Sequence, residues 1–390
     1  MSLFRKRDLS ERLRPEKLDE TGILDLPYLI LTILLACIGV LMMFSASYAK
    51  AYYDTGNSAF YFVRQAFFAV GGIALTIVIG RLNYFIWYRT SMLILVGSIV
   101  LLAMVLIPGV GVTHNGATRW LKIGFEFQPS EIAKLGLILS FASMMAAWQE
   151  KMGTFRYGVL PFVLVLGVIA ALLVMQKHLS ATLIICAIGA IMMLIGGTRW
   201  PWFVLGAMAV AVFLFFYLSN RGYAGNRVTA WRNPESDPLG TGYQIIQSRY
   251  AISSGGLLGL GFGKSRQKYL YLPEGHNDYI FAIVCEELGL IGAIGVVLLF
   301  LLLILRGYWI AIHARDRFGT LVAAGFSTKL AIQVFFNIGV VTNLLPATGI
   351  SLPFFSYGGT ALLLQMFEMG VVLSVSRWCV NKRALGGQKA

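Results

Sequence analysis

The chain has 390 residues, of which 57% are hydrophobic and only 13% charged, and its mean hydropathy is +0.73. That balance excludes a soluble protein of two or three domains, since an average soluble domain carries roughly 25% charged residues. The net charge of +14 does not describe a nucleic-acid binder either, because the basic residues are scattered between apolar runs rather than gathered on one face.

Residues 1–25 alternate basic and acidic side chains, with no short apolar stretch ending in a small-residue cleavage site. No removable signal peptide is expected, and the segment reads as a cytoplasmic tail. A helical span needs about 20 apolar residues to cross a hydrocarbon core. Apolar stretches begin near Leu26, Val63, Phe85, Ile132, Tyr157, Leu179, Trp200, Tyr279, Leu321 and Ala361, which predicts ten transmembrane helices in a single membrane domain over 26–378, with a second tail at 379–390. Runs such as 291–305 are apolar on every side, which fits helices and not the alternating strands of a β-barrel. The expected fold class is an all-α polytopic membrane protein.

Lys and Arg in short loops set the orientation. The N-terminal tail carries Arg5, Lys6, Arg7, Arg12, Arg14 and Lys17, and Arg81, Arg89, Lys151, Arg156, Arg199, Arg306, Arg315 and Arg317 fall on the same side, as do Arg377, Lys382, Arg383 and Lys389. Both termini are therefore expected in the cytoplasm. The outer side then receives a large loop, 219–277, between the seventh and eighth spans, holding seven cations against three anions. Within it 242–250 suits an amphipathic helix, and the glycine-rich run 253–263 permits tight turns. A second outer segment, 108–130, carries Asn115, Arg119, Trp120, Lys122 and Gln128. The third, 343–360, is uncharged and rich in Pro, Gly and aromatics, as expected of a re-entrant segment buried in protein.

Ionisable groups at membrane depth are costly unless paired, and so are functional candidates. Glu131 and Lys134 stand three residues apart on one helix face and suit a structural pair. Lys329 and Glu368 each lie roughly 18 Å into their spans and suit a second, private pair at mid-membrane. Asp278 opens the eighth span and has two readings: a helix N-cap, or a general base whose pKa is raised by a partly apolar cavity. Glu286 and Glu287, deeper on the same helix, do not share its immediate surroundings. The cysteines Cys37, Cys186, Cys285 and Cys379 lie in or beside apolar segments and form no disulfide framework. His114, His178 and His276 lack metal-ligand spacing. There is no Walker sequence and no Gly-x-Ser-x-Gly elbow. The ligand class that the outer cations suit is an anion such as the diphosphate of a membrane lipid.

Several motifs occur together: Phe44-Ser45-Ala46-Ser47, Arg64-Gln65, Asn115-Gly116-Ala117-Thr118-Arg119-Trp120, Gln128-Pro129-Ser130-Glu131-Ile132-Ala133-Lys134, Gly242-Tyr243-Gln244, Tyr271-Leu272-Pro273-Glu274-Gly275-His276-Asn277-Asp278-Tyr279-Ile280-Phe281 and the segment 352–359. Through them the chain resembles the SEDS (shape, elongation, division and sporulation) family across all ten expected spans. Ser265-Arg266-Gln267-Lys268 and Arg64-Gln65 resemble its cell-division branch more than its elongation branch, and a spore-cortex branch shares them. The resemblance implies a peptidoglycan glycosyltransferase of the bacterial cytoplasmic membrane, acting at the division septum. It would polymerise lipid II with inversion and release undecaprenyl diphosphate, working with a class B penicillin-binding protein transpeptidase and other divisome proteins. Asp278 would be the base. Arg119, Lys264, Arg266 and Lys268 would face the diphosphate, with Trp120, Glu131, Lys134, His276, Ser356 and Tyr357 lining the substrate site. A divalent cation, Mg or Mn, bridging diphosphate and carboxylate is the one cofactor candidate. Two positions depart from the family's pattern. Gln176-Lys177-His178-Leu179-Ser180 stands where Gln-Pro-Asp-Leu-Gly is usual, and His276-Asn277-Asp278-Tyr279 where His-Thr-Asp-Phe is usual. A lipid II flippase and a noncatalytic scaffold for the penicillin-binding protein are the competing classes.

Overall fold

The computed structural model describes residues 22–114, 117–219 and 223–379. The tail cations at 5–17 and 382–389, the residues Asn115 and Gly116, and Arg221 lie outside them. Twelve helices are labelled here: α1 (Leu26–Thr55), α2 (Phe60–Arg81), α3 (Phe85–Val105), α4 (Pro129–Ala147), α5 (Leu160–Met175), α6 (Leu179–Gly196), α7 (Trp200–Ser219), α8 (Tyr223–Arg232), α9 (Tyr243–Gly255), α10 (Ile280–His313), α11 (Arg317–Val341) and α12 (Gly359–Ser376). Among the described residues nine helices are long and apolar enough to cross a membrane, and α7 adds a shorter apolar stretch, Trp200–Val212. The spans start within four residues of the expected positions, because their limits are set by local signals. Asp25 caps α1, accepting the Tyr28 amide at 3.0 Å, and Gly56 in the left-handed region ends it. Asp316 caps α11 through the Phe318 and Gly319 amides.

The bundle is layered by polarity. α4, α11 and α12 are the least apolar spans and among the most enclosed, whereas α5 and α10 are the most apolar and turn most of their surface outward. Lipid-facing helices must be oily, and helices walled off by protein can carry polar groups. α4 packs on α3, α6 and α11, and α12 lies along α2. This arrangement brings four buried charges together. Lys134 Nζ reaches Glu131 Oε1 at 2.6 Å, Lys329 Nζ reaches Glu368 Oε2 at 2.6 Å, and Lys329 also lies 3.9 Å from Glu131 Oε2. Both expected pairs form, but the second is not private: Glu131 joins the two into one neutral network.

Two features depart from an all-helical outline. The segment before α4 folds into a three-stranded antiparallel sheet, β1 (Gly111–His114), β2 (Ala117–Ile123) and β3 (Phe125–Phe127), with Leu121 opposite both Gly111 and Phe127. Its strands are too short to announce themselves by alternation. α10 is broken at Gly289, whose φ is 65°. Into that break the glycine-rich run docks backbone to backbone: Leu260 N donates to Glu286 O at 2.9 Å, Gly261 N to Glu287 O at 3.0 Å, and Leu290 N to Gly256 O at 2.9 Å. A Cβ on Gly259 would stand 2.2 Å from Glu287 O, and one on Gly255 2.0 Å from Cys285 O, so the approach itself requires glycine. The expected helix at 242–250 is α9, which continues to Gly255.

The segment 343–358 is irregular, and its second half, from Ile350 to Ser356, is largely buried between helices. Phe354 and Phe355 pack on Phe300 of α10, with ring centroids 6.3 and 5.7 Å away. Gly39, midway along α1, lies so close that a Cβ there would meet Phe354 O at 2.4 Å. This is the re-entrant segment expected from its composition. The charge network yields a stability test. Lys329→Met or Glu368→Leu alone leaves a buried charge without its partner and should cost about 3–5 kcal/mol, read as lost thermal stability in detergent, while the double substitution recovers most of it. Full stability of both single variants would contradict this role.

Candidate active site at the loop-rich end of the bundle

Asp278 lies in the turn that leads into α10, and α10 itself begins two residues later. Tyr279, not Asp278, occupies the capping position, and it makes no side-chain cap. The N-cap reading is therefore not what the structure holds. The backbone here is clamped carbonyl by carbonyl: His276 O accepts from Tyr357 N at 3.1 Å, Asn277 O from Ser356 Oγ at 2.8 Å, and Asp278 O from Asn337 Nδ2 at 2.8 Å. Asn337 Nδ2 also donates to Ile350 O at 2.7 Å. With the main chain fixed from one side, the half-buried carboxylate faces the segment 347–349. A Cβ on Gly349 would lie 3.3 Å from Asp278 Oδ2, and Gly349 has a φ of +70°, so both room and conformation call for glycine there.

Electrostatics distinguish Asp278 from Asp237, the other shifted acid outside the spans, whose carboxyl is lowered. Burial, with Glu274 adding, pushes the Asp278 carboxyl up to about 6 against the opposing pull of Arg227 and Arg119. Arg119 lies on β2, where alternation puts it on the same face as Ala117 and Leu121, both buried against the bundle. Its Nη2 donates to Lys177 O at 2.6 Å. Trp120 and Lys122 take the opposite face of the strand, so Trp120 is turned away from Arg119. Arg227 and Trp231, one turn apart on α8, pin the re-entrant segment through Ala347 O at 2.9 Å and Asn343 O at 3.0 Å. Ser180 Oγ donates to Thr348 O, so the α5–α6 connection joins the same wall. Gln128 and His178 meet there, Nε2 to Nε2, at 2.6 Å.

Several expected site residues are used elsewhere. Lys268 is buried and engaged: its Nζ lies 2.5 Å from Gly263 O, 3.1 Å from Glu287 Oε1 and 3.1 Å from Ser45 Oγ. Glu286 accepts from the backbone amide of Arg266 at 2.9 Å and from Ser265 Oγ. These two acids staple the Ser265-to-Lys268 loop to α1 and α10, eight residues along α10 from Asp278, or about 12 Å. Lys264 and Arg266 are exposed there and are not among the cations that act on Asp278. His276 points to the other side of the turn, stacked on Tyr61 at 5.8 Å, with Tyr357 4.8 Å from the same ring. Burial holds the His276 ring below its ordinary pKa despite Glu274. Ser356 Oγ has both roles filled, donating to Asn277 O and accepting from Leu352 N at 2.8 Å. Lys134 is committed to Glu131. Glu131 nevertheless lines a small cavity with Gln333, Ser356, Tyr357 and Gln365, directly below the clamp. Of the expected set, Asp278 and Arg119 converge on one wall, and Glu131 and Lys134 lie close behind it. Arg227 was legible only as one of seven loop cations suited to an anion, and Asn337 was missed. The signal for Arg227 was a cation one turn from a Trp facing a carbonyl-rich segment. For Asn337 it was a lone amide inside an apolar span.

A helical membrane bundle with one clamped, half-buried acid under the pull of two arginines at its loop-rich end defines an integral membrane protein with a polar site at the bundle's rim. The chain belongs to the FtsW, RodA and SpoVE family, described as cell cycle proteins, whose family model matches residues 26–380. It is 42% identical over 354 residues to the probable peptidoglycan glycosyltransferase FtsW of Geobacter metallireducens, covering 90% of this chain and 94% of that protein. To the stage V sporulation protein E of Bacillus subtilis it is 44% identical over 359 residues, covering 91% and 97%. The fold matches a chain from a structure on the coordination of polymerization and crosslinking by a peptidoglycan synthase complex, with TM-score 0.75, 28% identity and coverage of 91% and 98%. It also matches the rod shape determining protein RodA of Thermus thermophilus, with TM-score 0.68, 26% identity and coverage of 94% and 100%.

The raised carboxyl carries a pH prediction. A base must be deprotonated, so kcat/KM for polymerisation should fall about tenfold per unit below the Asp278 pKa and level off above it, with the bend near 6. A profile flat from pH 4.5 to 7.5 would contradict a catalytic role for this group.

Proposed function

We propose that the chain is a peptidoglycan glycosyltransferase that polymerises lipid II at the outer face of the bacterial cytoplasmic membrane. The observation that carries this reading is the Asp278 carboxylate, raised in pKa against the pull of Arg227 and Arg119 and fixed through its own backbone. Its height suits a lipid-linked substrate. Counted back from Arg306, about 20 residues of α10 span the hydrocarbon core, which leaves Asp278 beyond the core on its watery side, at the height where a polyprenyl diphosphate presents its sugars.

In the reaction Asp278 takes the proton of the acceptor GlcNAc 4-hydroxyl. The oxygen attacks the anomeric carbon of the donor MurNAc from the face opposite the diphosphate. The bond from that carbon to the diphosphate breaks, the electron pair leaves with undecaprenyl diphosphate, and the configuration inverts. Arg119 and Arg227 stabilise the charge that develops on the leaving group. Among the described residues no group of three or more His, Cys, Asp or Glu side chains could hold a metal. A Mg or Mn ion would therefore be carried chiefly by the diphosphate itself, with Asp278 as a protein ligand. The charges inside the bundle, which would suit a flippase, are paired with one another.

The same reading places the protein at the division septum with a class B penicillin-binding protein and other divisome proteins, supported by the relatives named FtsW and by the synthase-complex fold. The likeness to a sporulation protein supports a spore-cortex role as the second reading. Depletion producing filaments assigns division; normal growth with defective cortex assigns sporulation. For the chemistry, Asp278→Asn, purified folded with its partner, should lower synthesis of labelled glycan from lipid II by about 10²–10⁴-fold, the usual worth of a general base. Near wild-type synthesis would overturn the base assignment.

A further inference from the structure

His178 sits in the α5–α6 connection, at the start of α6, with 7% exposure. Burial, reinforced by Arg119 and Lys134, takes its ring down to about 3, so it is neutral at physiological pH. Its Nε2 faces Gln128 Nε2 at 2.6 Å. With the amide as donor, Nε2 accepts, and the single proton of the neutral ring sits on Nδ1. Nδ1 has no partner. A buried donor left open in this way calls for an acceptor that arrives from outside.

The surroundings say what kind of acceptor. Arg119 is bonded to the neighbouring Lys177 carbonyl, and Arg227 to Ala347, beside the Thr348 carbonyl that accepts from Ser180. Both guanidinium charges and Lys134 act on the ring, opposed by Glu131. The first amides of α6 add the positive end of an 18-residue helix. Thr348 Oγ1, on the facing segment, is a second buried polar atom without a partner. Ser180 ties the start of α6 to Thr348, and Gly349 beside it lies against Asp278, so the open N–H, the helix N-terminus and the cations that act on the ring share one wall with Asp278, a setting suited to an anion.

We propose that His178 donates its Nδ1 proton to the diphosphate of the polyprenyl-linked glycan donor, which Arg119 and Arg227 hold beside Asp278. The inference rests on the glycosyltransferase reading and deepens it. It assigns the diphosphate to Arg119 and Arg227 and not to the exposed Lys264 and Arg266. It also gives a physical meaning to the histidine that stands where the resembled family usually carries a carboxylate: a neutral donor replaces an anion next to the leaving group.

The test uses the full-length protein with its partner, titrated with undecaprenyl diphosphate and, as a neutral control, undecaprenol. His178→Gln keeps a polar group toward Gln128 but has none at Nδ1, and should bind the diphosphate about tenfold more weakly, as expected for a lost hydrogen bond to a charged group. His178→Asn places an N–H near Nδ1 and should stay within about threefold of wild type on the same grounds. In histidine-labelled wild type, the Nδ1 resonance should shift on adding the diphosphate and not on adding undecaprenol, a readout independent of how the variants fold. Wild-type affinity in His178→Gln, or no Nδ1 shift while the wild-type protein binds the diphosphate and polymerises lipid II, overturns the inference alone. A wild-type protein that prefers the diphosphate no more than undecaprenol overturns the inference and the glycosyltransferase reading together.

Discussion

Three consecutive carbonyls, those of His276, Asn277 and Asp278, are each held by a donor, two from the re-entrant segment and the third from Asn337 of α11. Leaving such a buried carbonyl without its donor costs about 1–3 kcal/mol, so the clamp resists movement of this turn. Gln65 of α2 extends it, donating to Ser356 O at 3.2 Å and accepting from Gly358 N. Because the backbone is satisfied on that side, the Asp278 side chain is left to face the wall of Gly349, Arg119 and Arg227. The precision of the site thus comes from main-chain hydrogen bonding in a segment without a single charge.

The buried acids divide by what they touch. Glu131 and Glu368 neutralise Lys134 and Lys329 inside the bundle. Glu286 and Glu287 hold the loop that carries Ser265 and Lys268, and the glycine run anchors that loop in the break of α10. Each is neutralised or saturated by its partners, which is how a carboxylate survives at this depth. Among the described residues no cation forms an ion pair with Asp278. Its two arginines act from across the wall, bound to carbonyls of the segments they position. A raised carboxyl kept close to cations is a group prepared to take a proton and then sit beside a leaving anion.

The bundle was legible because lipid enforces composition: every span begins close to where apolar runs begin, and the intramembrane pairs followed from their depth. The re-entrant segment was legible for a related reason, since uncharged Pro, Gly and Phe at membrane depth have to be buried in protein. The sheet was not, being three short strands. A charge count carries no direction, so the loop's cations were not separable in the sequence: Arg227 acts on Asp278, and Lys268 is bound elsewhere. Lys268 is taken by Glu287, nineteen residues away, and Lys264 and Arg266 stand exposed beside it. Asn337 escaped because attention to intramembrane residues fell on ionisable groups, and a neutral amide proved to do the positioning. His276 was too near Asp278 in sequence to seem separate from it, yet successive side chains of a turn diverge, and its ring stacks on Tyr61.

The most direct measurement is a cryo-EM structure of Asp278→Asn with its penicillin-binding protein partner and lipid II in both sugar sites. The account predicts the acceptor 4-hydroxyl within about 2.6–3.2 Å of the residue 278 side chain, with the donor diphosphate against Arg119 and Arg227. Sugars bound instead on the His276 and Tyr61 side, or a diphosphate seated at Lys264 and Arg266, would contradict it.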